Sequence, residues 1–113
     1  MSLAIRFQAE PIRSLSSGAI SVTYMGIGTS LAHPARQFYI LNQTNAALMF
    51  SFDGINDHIF LPSQGYMFND VASNQSFNQG WYIAEGTRIY VKDMGSPANT
   101  GSVYVSFFYG STN

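Results

Sequence analysis

Three aspartates and a histidine fall inside residues 51–70, SFDGINDHIFLPSQGYMFND, among several aromatic rings. Carboxylates beside an imidazole are the side chains that hold metals and move protons, so this stretch is the first place to look for chemistry. Its spacing argues against a metal site. A calcium loop of the EF-hand kind needs alternate oxygen ligands, a central glycine and a late glutamate. DGINDHIFLPSQ has no such order. Asp53-Gly54 reads instead as a turn after an alternating strand, and Asn56-Asp57 completes the loop.

His58 follows Asp57 directly, which raises a hydrolytic reading. A triad needs a nucleophile in hydrogen-bond reach of a base, and a third group that orients the base. Serines are plentiful, but none sits in a G-x-S-x-G elbow. Neighbours on a strand point to opposite faces, so Asp57 and His58 would not pair if both lie in the strand. His33, before Pro34, belongs to a loop and has no local partner. Glu10, Asp53, Asp57, Asp70, Glu85 and Asp93 are the six acids, and glycoside hydrolysis by any pair turns on a separation in space that spacing cannot give. MGIGTS lacks the G-K-[ST] of a phosphate loop. We therefore expect no catalytic, cofactor-binding or metal-binding residue, and no enzyme.

The elements that would position these residues read as strands. Turn clusters recur at 16–18, 26–30, 42–45, 53–57, 62–65, 73–80, 85–86 and 95–101, separated by short β-branched and aromatic runs. Alternation places Leu48, Phe50 and Phe52 on one face, Ile89 and Val91 on one face, and Val103, Val105 and Phe107 on one face. Ile20, Val22 and Tyr24 alternate with Ser21 and Thr23. In RQFYILNQ both faces are apolar, as in a strand covered on both sides. Strands are expected at 4–8, 19–25, 36–42, 46–53, 58–61, 66–71, 80–84 with 87–93, and 102–109, with no long helix. About eight short antiparallel strands in one small domain predict an all-β, jelly-roll-like sandwich. Residues 1–18 are expected to form an N-terminal arm or an edge strand, and 19–113 the sandwich domain.

With 113 residues there is room for one domain. Charged residues are 10% of the chain, against about 25% in typical soluble domains. Either the surface is polar but uncharged, or much of it is buried on other subunits. A net charge of −1 without a basic stripe argues against nucleic-acid binding. The absence of cysteine removes disulfides, zinc ribbons and thiol nucleophiles. No apolar run is long enough for a membrane span, and MSLAIRFQAEP lacks signal-peptide features, so synthesis in a cytoplasm is expected.

Tyr104 and Phe108 lie on the face of the last strand opposite Val103, Val105 and Phe107. A sandwich strand should turn a polar face to water, so aromatics there predict a subunit interface. Tyr90, outward in TRIYVKD, joins them as an expected interface residue. The competing reading is a sugar-binding platform from Trp81-Tyr82 with Tyr66, Tyr90 and Tyr104, because carbohydrate pockets use aromatic rings with a few polar groups.

ALMFSFDGINDHIFLPSQGYMFNDVASNQ and GWYIAEGTRIYVKDMGSPANTGSVYVSFFYG resemble segments of small virion proteins of tailed bacteriophages. There an I/F-S-F-D-G strand and turn precedes a D-H-x-x-L/V-P segment, then a G and a short hydrophobic strand, and a G-T-x-I/V-Y-V-K strand leads through a Pro- and Gly-rich loop to a closing G-S-V-Y-V-x-x-x-Y-G. The resemblance covers roughly residues 36–110 and brings no catalytic residue with it. It implies a structural protein of the virion, most like a capsid decoration (cement) protein: a homodimer or homotrimer on the capsid surface that clamps the major capsid protein. A head–tail joining or tail component is the alternative within that class.

Overall fold

Val103, Val105 and Phe107 point into the core, each at most 1% exposed, while Tyr104, Ser106 and Phe108 between them point outward. The same period-two pattern builds the rest of the chain. The structure, a computed structural model, describes residues 6–71 and 83–111. Among these residues nine strands form two antiparallel sheets: β1 Arg6–Ala9, β2 Arg13–Ser16, β3 Met25–Gly26, β4 Gln37–Thr44, β5 Leu48–Ser51, β6 Ile59–Leu61, β7 Tyr66–Asp70, β8 Tyr90–Asp93 and β9 Gly101–Ser111. Among the described residues the helical content is a single 3-10 turn at Ser17–Ala19.

The first sheet runs β1-β9-β4-β7, with β2 also on β9, and the second runs β3-β8-β5-β6. β1 and β2 lie end to end along the same edge of β9, pairing with residues 108–111 and 102–105. Pro11, which has no N–H to give a ladder, stands where the edge is interrupted. Counted as one interrupted edge strand, they leave two four-stranded sheets. The chain then changes sheet at every step except the β5–β6 hairpin, which is the jelly-roll arrangement expected from the sequence.

The core lies between the sheets. Phe38, Ile40, Val103, Val105 and Phe107 from the first meet Leu48, Phe50, Leu61, Ile89 and Val91 from the second side in one cluster. Burying side chains of this size contributes about 1.5–3 kcal/mol each. Asn42, fully buried, ties two turns to this core. Its Nδ2 donates to the carbonyls of Ala46, Leu61 and Pro62, and its Oδ1 accepts from the N–H and hydroxyl of Thr44.

Several boundaries differ from the sequence expectation. Residues 19–25 are not a strand; only Met25–Gly26 pair. The Ser21 hydroxyl bonds to the N–H and the side-chain hydroxyl of Thr23, a local turn that competes with the ladder, and it leaves Val22 exposed. The strand expected at 46–53 ends at Ser51, where the Ser51 side chain starts a turn. Of 80–84, residues 80–82 lie outside the described residues, and Ile83 makes one isolated bridge to Ala35. β2 was not among the strands expected one by one, but it lies within residues 1–18, expected as an arm or an edge strand, and pairs along the edge of β9. β4 was expected to be covered on both sides, but the chain buries only its Phe38–Ile40 side and leaves Tyr39 and Leu41 half-buried.

Candidate functional site

The 51–58 stretch folds into a loop held by its own side chains. Asp53 Oδ1 accepts from the N–H groups of Ile55 (2.8 Å) and Asn56 (2.9 Å) and from the Ser51 hydroxyl (2.8 Å), and Oδ2 accepts from Asn56 Nδ2 (2.8 Å). The Asn56 and Ile55 amides, then the Asn56 and Ser51 side chains, hold this carboxyl well below the usual carboxylate range. The acceptor capacity of Asp53 is committed to shaping the turn.

Asp57 looks away from its neighbour. Its Oδ1 accepts from the Tyr24 hydroxyl at 2.5 Å and from Lys92 Nζ at 3.1 Å, while Lys92 Nζ lies 4.7 Å from the centre of the Tyr24 ring. Tyr24 first, and Lys92 after it, lower the Asp57 carboxyl. Burial, then the Asp57 bond, raises the Tyr24 phenol. His58 turns back into the loop, where Nδ1 accepts from the Phe52 N–H at 3.0 Å. Asp57 and His58 precede β6 rather than lying in it, and they take separate partners.

A second polar cluster joins residues far apart in sequence. Glu10 and Arg13, each 7% exposed, form an ion pair of 2.7 Å beside β9. Glu10 also accepts from the N–H groups of Ala32 and His33, and His33 Nδ1 stands 3.1 Å from Oε2. Arg13 donates to the carbonyls of Pro11, Thr29 and Ser30 and lies over the Phe107 ring. Burial alone would raise the Glu10 carboxyl; Arg13, Ala32 and His33 outweigh it and hold it below 4.5. The contacts to Thr29, Ser30, Ala32 and His33 fasten the 29–33 loop to the edge of the first sheet. Asp93, also buried, accepts from the Gly95 N–H at a turn. Among the described residues no group of three or more His, Asp or Glu is placed to hold a metal.

The outer face of the first sheet is different. The register sets its side chains in rows across the strands. One row runs Ser14, Tyr104, Leu41, Tyr66; the next runs Ser106, Tyr39, Phe68; the third runs Ala9, Phe108, Gln37, Asp70; and Phe7 stands opposite Gly110 beyond it. Phe7, Tyr66 and Phe68 are among the most exposed large side chains of the protein, at 68%, 66% and 52%. Tyr39 and Tyr66 stack at 5.9 Å, and Phe7 and Phe108 at 5.3 Å. Strand spacing makes this face roughly 15 Å by 20 Å. It is of the size at which apolar patches on monomers mark interaction sites.

Of the expected interface residues, Tyr104 and Phe108 lie on this face. Tyr90 lies on the outer side of the second sheet, packed under Gly54 and beneath Arg88, and is not part of it. The expected sugar platform is divided in the same way: Tyr66 and Tyr104 share a face, Tyr90 does not, and Trp81 and Tyr82 lie outside the described residues. The sequence reading missed Phe7, Tyr39, Leu41 and Phe68, and named Tyr66 only for the sugar platform. The alternation of YMFND was a usable signal, but period two does not say which face is inward. No protein-family model matches the chain, and no curated protein matches it.

Proposed function

We propose that this protein is a structural component of a virus particle that docks through the aromatic outer face of its first sheet, acting as a capsid decoration protein that bridges and stabilises major capsid subunits. The observation that carries the reading is that face: a row-ordered set of Tyr and Phe on the solvent side of an antiparallel sheet, where polar residues belong. Aromatics are enriched in interface cores because they bury large area at little entropic cost. The low share of charged residues suits a chain whose surface is covered in an assembly. The resemblance to phage virion proteins supplies the particle. Binding only to the assembled shell stabilises that shell by mass action.

The double variant Tyr104→Ser/Phe108→Ser tests it. We expect native circular dichroism with loss of binding to mature capsids, read by co-sedimentation. Unchanged co-sedimentation would remove the face from the docking reading. Copy number in purified virions, measured against the major capsid protein, separates the two virion roles. A number near that of the capsid protein means decoration, and about a dozen copies or fewer means the head–tail joint or tail.

A further inference from the structure

The aromatic face ends in a cleft of about 240 Å³ between the start of β4 and β1, lined by Arg6, Phe7, Arg36, Gln37, Phe108 and Gly110, with Tyr109 beside them. β9 is its floor. Gly110, opposite Phe7, leaves a notch, and the stacked Phe7 and Phe108 rings form an apolar wall. Arg13 is paired with Glu10, and Lys92 with Asp57. Arg6 and Arg36 have no acidic partner and no side-chain hydrogen bond among the described residues, and both line this cleft.

We infer that the cleft receives a carboxylate side chain of the docked partner polypeptide, with an apolar or aromatic neighbour of that residue seated on Phe7 and Phe108. The inference rests on the docking reading above and names what the partner must carry. Charge complementarity points to it. A guanidinium binds a carboxylate in a fork of two parallel hydrogen bonds, and two arginines lining a cleft with an apolar wall favour an anion attached to an apolar group. The volume fits one side chain and its neighbour, and falls short of the space a larger ligand takes. Among the described residues the outer face offers one carboxylate, Asp70, and it already accepts from Gln37 at 3.0 Å, which points to a carboxylate brought by the partner.

The test uses the full chain, isotope-labelled, with 3-phenylpropionate as the probe and 3-phenylpropanamide as its uncharged match, read by NMR. We expect the acid at millimolar concentration to shift Phe7, Gln37, Phe108 and Gly110, and the amide to bind roughly tenfold more weakly. Arg6→Ala/Arg36→Ala, which alters exposed and half-buried side chains, should abolish the difference between acid and amide. Equal binding of acid and amide to the parent, or no shifts at the cleft, overturns the inference. Inorganic phosphate giving the same shifts at the same concentration overturns the polypeptide assignment. Failure of docking itself reads differently: Tyr39→Ser/Phe68→Ser spares the cleft, so capsid binding by that variant speaks to the face alone.

Discussion

Glu10 collects bonds from Arg13, Ala32 and His33, and this decides how the protein responds to acid. A carboxyl held below its ordinary value of 4.5 binds fewer protons folded than unfolded. Its contribution is complete above that value and is lost as pH falls through the folded one. Asp53 and Asp57, also held low, add to the loss on the acid side. Glu10→Gln strands the Arg13 guanidinium in the interior, and we expect it to cost about 3 kcal/mol at neutral pH. The gap between variant and parent should narrow as pH falls from 4.5 through the lowered folded value, below which the parent also carries a neutral group at this place. Thermal melts across pH measure both effects. The long-range half of this cluster was not legible in the sequence, although Arg13 stands only three residues from Glu10. Glu10 and His33 stand far apart in the chain, and a partner brought by the fold leaves no local spacing to read. The Asp53 turn was legible, because its donors at Ile55 and Asn56 lie within three residues.

At the scale of the strand, alternation told true where one face is buried and failed where local bonds compete. Val103, Val105 and Phe107 share one face by their spacing, and burial makes that face the inner one. Residues 20–24 showed the same alternation and are not a strand, since Ser21 and Thr23 bond to each other. The start of β9 depends on a residue no periodicity marks. Gly101 has φ of 85°, in the left-handed region, and a Cβ there would overlap the Gln43 carbonyl oxygen of the paired β4 strand. Gly101→Ala must therefore both strain the backbone and push β9 from β4. We expect a loss of about 2 kcal/mol or more in urea unfolding. Substitution at Gly86, whose φ is also positive but where nothing stands nearby, should cost about half as much, which isolates the contact from the strain.

At the scale of the molecule, the two faces of the first sheet hold aromatic rings for opposite reasons, and stability measurements tell them apart. Phe107, on the inner face, is fully buried between the sheets, and Phe107→Ala should cost about 4 kcal/mol. Phe68, half exposed on the outer face, should cost less than about 1 kcal/mol in the isolated chain. If capsid docking is what Phe68 serves, its loss should appear in binding instead. Equal stability losses at both positions would mean that the outer ring is core after all. The sequence carried the fold class because a sandwich is written in local alternation and turns. The outer face stayed hidden because its rings come from β1, β4, β7 and β9, and only the register sets them side by side.

β9 is the centre of the first sheet and the last strand in chain order; β1, β2 and β4 all pair with it. During synthesis, β1 and β2 leave the ribosome first and wait for nearly the whole domain before their partner exists. β4 and β7 can pair earlier, but Phe38 and Ile40 face no finished core until β9 arrives. The newborn chain thus closes in one late step, with a long-lived interval of unpaired edges. Where many copies are made together, that interval is when the β1–β2 segment of one copy can settle on the β9 of another.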